Sequence, residues 1–200
     1  MIKAIVFDYG GVIELSKGNL TKSICDYLKV SHESFLDSYF NYNHLGNTGK
    51  KTRLEVFELT VRKLGATDEQ VQEVFKIIEK RDQTKFLNLE LIEIVKDLKT
   101  RGYKVAILSN YSVALRQKLI DEGLHDLFDE IVISAEVGFQ KPQPEIFDVL
   151  FKRLGMNSNE IIFIDDTDQS LLGHETIGYL PIKFKNNEQF KTDLSKLLTL

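Results

Sequence analysis

Four groups of polar residues lie at or just after the ends of predicted strands, and together they could carry out one reaction. They are Asp8, the pair Ser109-Asn110, Lys141, and the pair Asp165-Asp166. The carboxylates of Asp8 and Asp166 could hold a hard cation such as Mg²⁺, with a further oxygen from the backbone carbonyl of Gly10. Lys141 offers a positive charge, and Ser109 offers a hydroxyl to an anionic oxygen. This combination is typical of a carboxylate nucleophile that faces a phosphoryl group.

The first of these groups stands at the end of a predicted strand. Residues 4–7 form a continuous apolar run, which is typical of a parallel strand buried on both faces. Asp8 follows at once, and a buried carboxylate costs free energy unless something uses it. Gly10 and Gly11 lack a β-carbon, so a ligand can approach their backbone amides closely. On this stretch alone, an ordinary turn and a functional site explain the residues equally well.

From residue 88 onward the sequence alternates between helical and strand patterns. Apolar runs predict strands over residues 103–108, 130–133, 160–164 and 180–184. Helices that alternate with buried strands predict an α/β fold, with a Rossmann-like parallel sheet built by right-handed crossovers and flanked by helices. Because the carboxyl ends of parallel strands meet at one edge, we expect the polar groups to converge on one crevice.

Residues 16–85 show helical periodicity and no clear strand. Within them, residues 41–49 are rich in asparagine and glycine and predict a loop. We therefore expect a core domain of residues 1–15 and 86–200, with a helical cap inserted at 16–85. An insertion at this point would emerge beside the ligand edge of the sheet, where it could act as a lid.

A small basic cluster follows the predicted loop of the insertion. It consists of Lys50, Lys51 and Arg53. Such a cluster usually belongs to a solvated face. A contact between the cap and an anionic substrate is the alternative, and the sequence leaves both interpretations open.

Composition excludes several classes of protein. Hydrophobic residues make up 42% and charged residues 28% of the 200, as in ordinary globular proteins. The net charge of −4 gives no basic footprint for nucleic acid. The sequence has no apolar run of membrane-spanning length and no signal-peptide pattern, and its single cysteine, Cys25, is expected to be a buried structural thiol. We expect a cytoplasmic monomer or homodimer with no nucleic-acid or membrane partner.

Four segments, in order, resemble the four motifs of the haloacid dehalogenase-like (HAD) superfamily. They read Phe7-Asp8-Tyr9-Gly10-Gly11-Val12-Ile13, Val105-Ala106-Ile107-Leu108-Ser109-Asn110, Gly138-Phe139-Gln140-Lys141-Pro142, and Ile162-Phe163-Ile164-Asp165-Asp166. No single motif is specific, but their order and spacing both match, and the resemblance covers essentially the whole chain. Within the superfamily the sequence resembles the helical-cap subgroup with an Asp-x-Gly first motif.

The resemblance implies a role for each residue of the site. The implied catalytic residues are Asp8, as a nucleophile that forms an aspartyl-phosphate, and Lys141. The implied Mg²⁺ ligands are Asp8, the carbonyl of Gly10, Asp166 and Asp165, the last either directly or through water. The implied substrate-binding residues are Ser109, Asn110, Gly11 and Lys141. The implied reaction is Mg²⁺-dependent hydrolysis of a small phosphorylated metabolite such as a sugar phosphate.

One position departs from the pattern of the family's phosphatases. These usually carry a second aspartate two residues after the nucleophile, which protonates the leaving group and then activates water. Here that position is Gly10, which can do neither, and general acid–base catalysis is worth about 10²–10⁴ in rate. Two alternatives therefore stay open: a non-catalytic protein that binds phosphate-like ligands or a partner, and a haloacid dehalogenase. The Asp165-Asp166 pair argues against the dehalogenase, because a metal site is superfluous for a substrate without phosphate.

Overall fold

A computed structural model describes residues 1–198, and a parallel β-sheet lies at its centre. The strands are β1 (Ala4–Phe7), β2 (Glu14–Ser16), β3 (Lys85–Leu87), β4 (Lys104–Ser109), β5 (Glu130–Ile133), β6 (Ile161–Asp165) and β7 (Leu180–Lys183). Five of them form a sheet in the order β5-β4-β1-β6-β7, in which each neighbouring pair is parallel. The predicted parallel sheet is confirmed, and β1 is its middle strand.

Helices cover both faces of this sheet. They are α1 (Leu20–Leu28), α2 (His32–Asn47), α3 (Arg53–Lys63), α4 (Asp68–Asp82), α5 (Leu89–Thr100), α6 (Ala114–Asp121), α7 (Ser134–Val137), α8 (Pro144–Leu154), α9 (Asp168–Leu171), α10 (His174–Ile177) and α11 (Asn187–Leu198). In β1, Ile5 and Phe7 pack in one apolar cluster with α5 and α11, whereas Ala4 and Val6 pack in another with α8. Burial on both faces explains the continuous apolar run, and the Rossmann-like α/β fold is confirmed.

The register of the sheet brings the predicted polar groups to one edge. Phe7 is the last residue of β1 and pairs with both β4 and β6. The next residue, Asp8, donates its backbone N–H to the carbonyl of Ile164 at 2.8 Å. β4 and β6 each extend one residue beyond their predicted ends, so that Ser109 and Asp165 are the last residues of their strands. By this register Asp165 lies level with Asp8, and Ser109 lies one residue further along β4.

The helices α1–α4, which we call the helical insertion, surround an apolar cluster of their own. The prediction of a loop over residues 41–49 is wrong, because α2 continues to Asn47. Glycine and asparagine weaken an isolated helix, but packing against a neighbouring helix can outweigh that preference. A β-carbon added at Gly46 would lie 3.0 Å from Cγ2 of Val56 on α3. Glycine at this position lets α2 approach α3 closely.

An antiparallel pair of strands joins the helical insertion to the sheet region. Glu14 of β2 pairs with Leu87 of β3, and Ser16 pairs with Lys85. The two strands cross the predicted domain boundaries at residues 15/16 and 85/86. The sequence did not predict them, because three residues are too few to show an alternation of apolar and polar residues.

Two further predictions are a buried structural thiol at Cys25 and the lack of a membrane-spanning segment. Cys25 is 6% exposed within the apolar cluster of the helical insertion, and burial raises the pKa of its thiol. Both observations fit a structural thiol. Among residues 1–198, no helix combines the length and the apolar character needed to cross a lipid bilayer.

Candidate active site

Lys141 is the buried centre of the polar groups at the strand ends. Its Nζ lies 3.0 Å from Oδ1 of Asp8 and 2.6 Å from Oδ2 of Asp165. The residue is only 4% exposed, so both ion pairs are largely shielded from water. Burial alone would lower the pKa of Lys141, but the attraction of the two carboxylates raises it above its ordinary value. Lys141 therefore remains a cation at neutral pH.

Asn110 holds the backbone of Lys141 in place. The backbone N–H of Lys141 donates to Oδ1 of Asn110 at 2.8 Å, and Nδ2 of Asn110 donates to the carbonyl of Lys141 at 3.1 Å. The reciprocal pair links the residue after β4 to the loop before α8. Because both polar atoms of the amide are used in this way, the side chain of Asn110 positions Lys141.

The carboxylates of Asp8, Asp165 and Asp166 form a compact acidic cluster. One oxygen from each lies within 4.8 Å of the others. Burial and Asp165 raise the pKa of Asp8, against the opposing effects of Lys141 and the Ser109 hydroxyl. Burial, followed by the charges of Asp8 and Asp165, raises the pKa of Asp166 to about 6. Three carboxylates stand beside the single Lys141 cation, and such an oxygen-rich cluster fits a hard divalent cation.

The two carboxylates of the Asp165-Asp166 pair face different partners. Asp165 is fully buried, and its Oδ1 accepts hydrogen bonds from the backbone N–H and the hydroxyl of Thr167 at 2.8 and 2.7 Å. Its Oδ2 accepts the bond from Lys141. Asp166 instead lines the cavity above the strand ends. Of the two, Asp166 is the carboxylate placed to meet a cation in that cavity.

Gly11 lets the loop after β1 pass close to Asp166. Its φ is +84°, in the left-handed region, and a β-carbon added there would lie 2.2 Å from Oδ2 of Asp166. Gly10 differs on both counts. Its φ lies outside that region, and apart from its chain neighbours Tyr9 and Gly11 nothing in residues 1–198 comes within 4 Å of an added β-carbon. Glycine is thus required at position 11 and replaceable at position 10.

The variant Gly11→Ala should lose about 1–3 kcal/mol of unfolding free energy, from backbone strain and the clash with Asp166. The matched variant Gly10→Ala should keep the stability of the wild type, because its methyl group has room. Urea unfolding of both variants measures the difference. Equal stabilities would show that the loop relaxes around the added methyl group.

A cavity of about 560 Å³ lies between the strand ends and the helical insertion. The predicted site residues that line it are Asp8, Gly10, Gly11, Ser109, Asn110, Lys141 and Asp166. Asp165, the remaining predicted residue, lies buried beneath them. The volume is within the usual range for small-molecule sites.

Three cations from the helical insertion and β3 also line the cavity. They are Arg53, Arg81 and Lys85, at the start of α3, near the end of α4 and at the start of β3. Of the predicted basic cluster, only Arg53 lines this cavity, whereas Lys50 is exposed and Lys51 pairs with Glu55 at 3.2 Å. The sequence did not single out the other two cations, because nothing local distinguishes them from surface lysines and arginines.

The sequence is similar to a known protein family and to known phosphatases over most of its length. The sequence model of the haloacid dehalogenase-like hydrolases matches residues 2–171. The glyceraldehyde 3-phosphate phosphatase of Methanopyrus kandleri is 28% identical, over 94% of this chain and 86% of its own length. The D-ribitol-5-phosphate phosphatase of Bacteroides thetaiotaomicron is 27% identical, over 99% of both chains.

Solved structures share the fold over nearly the whole chain. A predicted HAD-like hydrolase from Porphyromonas gingivalis has a TM-score of 0.65 and 24% identity, covering 99% of this chain and 98% of its own. A HAD family enzyme from Bacteroides thetaiotaomicron, in complex with magnesium and inorganic phosphate, has a TM-score of 0.62 and 21% identity. It covers 92% of this chain and 95% of its own.

Proposed function

The chain belongs to the haloacid dehalogenase-like hydrolase family, and from that premise we propose that it is a Mg²⁺-dependent phosphatase of small phosphorylated metabolites such as sugar phosphates. The arrangement of Asp8, Lys141 and Asp166 at the floor of one cavity supports this proposal most directly. Both full-length relatives described above are phosphatases of sugar-derived phosphates, which favours the same reaction class.

In the proposed reaction, a carboxylate oxygen of Asp8 attacks the phosphorus atom, the ester bond to the leaving oxygen breaks, and that oxygen takes its proton from water. Water then attacks the aspartyl-phosphate, which releases phosphate and restores Asp8. Lys141 fixes the orientation of Asp8 through their ion pair and offers positive charge to the phosphoryl oxygens. The hydroxyl of Ser109 donates to one of the same oxygens.

Asp8, Asp166 and the carbonyl of Gly10 would hold the Mg²⁺ ion, which supplies positive charge between an anionic nucleophile and an anionic substrate. Asp165 uses its oxygens for Lys141 and Thr167, so we assign it to positioning Lys141. The metal-bound water that the resemblance implies would have to use the remaining lone pairs of these oxygens. In this proposal the helical insertion is the cap of the predicted two-domain arrangement, and its inner wall covers the substrate.

A screen of phosphorylated metabolites, with and without Mg²⁺, tests the proposal. We expect release of inorganic phosphate from at least one sugar phosphate, and loss of that activity when the metal is chelated. Release of halide from a haloacid, with every phosphate ester left intact, would establish the dehalogenase instead. Binding of phosphate without turnover of any ester would establish the non-catalytic alternative, which the glycine at position 10 favours.

The variant Gly10→Asp should restore the acid that the family's phosphatases usually carry. The space around Gly10 admits a side chain, so the variant should fold. We expect turnover of alkyl phosphates to rise by about 10-fold or more, because their alkoxide leaving groups need a proton. Turnover of nitrophenyl phosphate, whose leaving group departs unprotonated, should change far less, and initial rates on both esters measure the contrast. A folded variant with no selective gain would show that another residue already transfers the proton.

A further inference from the structure

The cations of the cavity wall outnumber the carboxylates that neutralise them. Arg53 pairs with Asp82 at 2.6 Å, Lys85 pairs with the same carboxylate at 3.2 Å, and Arg81 lies 3.8 Å from it. Lys85 also contacts Glu14 at 3.3 Å. We call Arg53, Arg81 and Lys85 the basic wall.

Glu14 does not complete this neutralisation, because it is shared with Lys118, which also pairs with Glu122 at 3.0 Å, so that four cations face three carboxylates. Nζ of Lys118, on α6, lies 3.0 Å from Oε1 of Glu14. Asp82 therefore remains the main counter-charge for three cations that come from three different elements. The basic wall therefore keeps net positive charge in the same cavity as the carboxylates of Asp8 and Asp166.

Arg81 has hydrogen-bonding capacity that the rest of the protein leaves unused. Its Nε is buried and has no hydrogen-bond partner within residues 1–198. The side chain as a whole is 30% exposed and lines the cavity, and its closest charge contact is the 3.8 Å approach of Nη1 to Asp82, so the exposed part of the guanidinium can donate to an anionic ligand there. Arg53 is held more firmly, since its guanidinium lies 5.5 Å from the ring centre of Phe57 and bonds to Asp82.

We infer that the basic wall binds a second anionic group of the substrate, so that the preferred substrates are phosphate monoesters that carry a carboxylate or a second phosphoryl group. This inference rests on the proposed phosphatase function and names its substrate class. The ester phosphate is directed to Asp8 by Lys141 and the implied cation, and the second anion extends toward the helical insertion. A neutral polyol in that position could accept hydrogen bonds from these cations but would leave their charge uncompensated, so we expect it to bind more weakly than an anion.

Two esters of equal length test the inference. Glycerol 3-phosphate ends in a hydroxymethyl group where 3-phosphoglycerate has a carboxylate. We expect the wild type to show a kcat/KM for 3-phosphoglycerate about 10-fold or more above that for glycerol 3-phosphate, as a charge-assisted hydrogen bond provides. A second pair, fructose 6-phosphate and fructose 1,6-bisphosphate, distinguishes a carboxylate from a second phosphoryl group as the preferred anion.

The variant Arg81→Gln should remove most of the preference for the doubly anionic ester of the favoured pair, and Arg81→Lys should restore part of it. The matched control is Lys50→Gln, which removes one charge from an exposed position of the same region. It should retain the wild-type preference. Equal loss of activity on both esters in Arg81→Gln would overturn the inference, because it would assign the basic wall to holding the helical insertion in place.

Binding separates this inference from the proposed function. Calorimetry on Asp8→Asn with Mg²⁺ measures affinity for the same esters without turnover. Tighter binding of the doubly anionic esters supports the basic wall even if the wild type hydrolyses none of them, an outcome that would refute only the phosphatase. Hydrolysis or binding of both members of each pair with equal efficiency, or binding of none, would overturn the inference.

Discussion

Replacing Asp8 by asparagine is expected to lower phosphatase activity by about 10⁴-fold or more, as loss of an essential catalytic residue does. The amide has nearly the shape of the carboxylate but is no nucleophile and carries no charge. Because burial raises the pKa of Asp8, its ionised form costs folding free energy at neutral pH. The melting temperature of Asp8→Asn should therefore equal or exceed that of the wild type. Initial rates on the best ester of the metabolite screen, together with thermal unfolding, measure both effects.

The control for this variant is Asp148→Asn, which changes an exposed carboxylate on α8. It should keep full activity. Beryllofluoride, which mimics an aspartyl-phosphate, should bind the wild type in the presence of Mg²⁺ and should fail to bind Asp8→Asn. Undiminished hydrolysis by Asp8→Asn would rule out covalent catalysis at this residue.

Lys141→Met should affect both stability and activity. Removal of the ammonium leaves the carboxylates of Asp8 and Asp165 buried without their shared cation, and breaking a buried ion pair typically costs about 3–5 kcal/mol. We expect that loss of unfolding free energy in urea. A fall in kcat of about 10²–10³-fold should accompany it, as when one donor that stabilises the transition state is removed.

A second substitution separates the structural role of Lys141 from its catalytic role. Lys141→Met combined with Asp165→Asn removes one of the uncompensated charges, so it should regain part of the lost stability without regaining activity. Lys152→Met, at an exposed site on α8, should match the wild type in both measurements. If Lys141→Met were as stable and active as Lys152→Met, the two buried ion pairs would contribute nothing measurable.

The sequence predicted those parts of the fold that depend on burial along one strand. The apolar run before Asp8 predicted the middle strand of the sheet, and the polar residues after such runs predicted the edge where they meet. Features that depend on contacts between distant segments were missed. Gly46 looked like a helix breaker until its contact with Val56 was known, and β2 and β3 are recognisable only through their pairing.

In the site, too, local sequence predicted some residues, whereas contacts between distant segments determine the role of others. Asp8 and Lys141 belong to motifs, so their types and spacing were readable from the sequence. Arg81 and Lys85 act through their position on the cavity wall, which depends on how α4 and β3 are placed against β2. The family resemblance implied that Asn110 binds substrate, whereas its exchange of hydrogen bonds with the backbone of Lys141 could not be inferred from residue type.

The pairing of β2 with β3 bears on how such a protein can change over evolutionary time. The chain leaves for the helical insertion through Ser16 and returns through Lys85, and these residues are direct partners in the ladder. Adjacent strands lie about 4.8 Å apart, so the helical insertion begins and ends at nearly the same point of the fold. Because the helical insertion is joined to the sheet region only through this pair of strands, it can lengthen, shorten or be exchanged without moving Asp8 or Lys141. Natural selection can therefore change which substrates the helical insertion admits, while the residues at the strand ends are inherited unchanged.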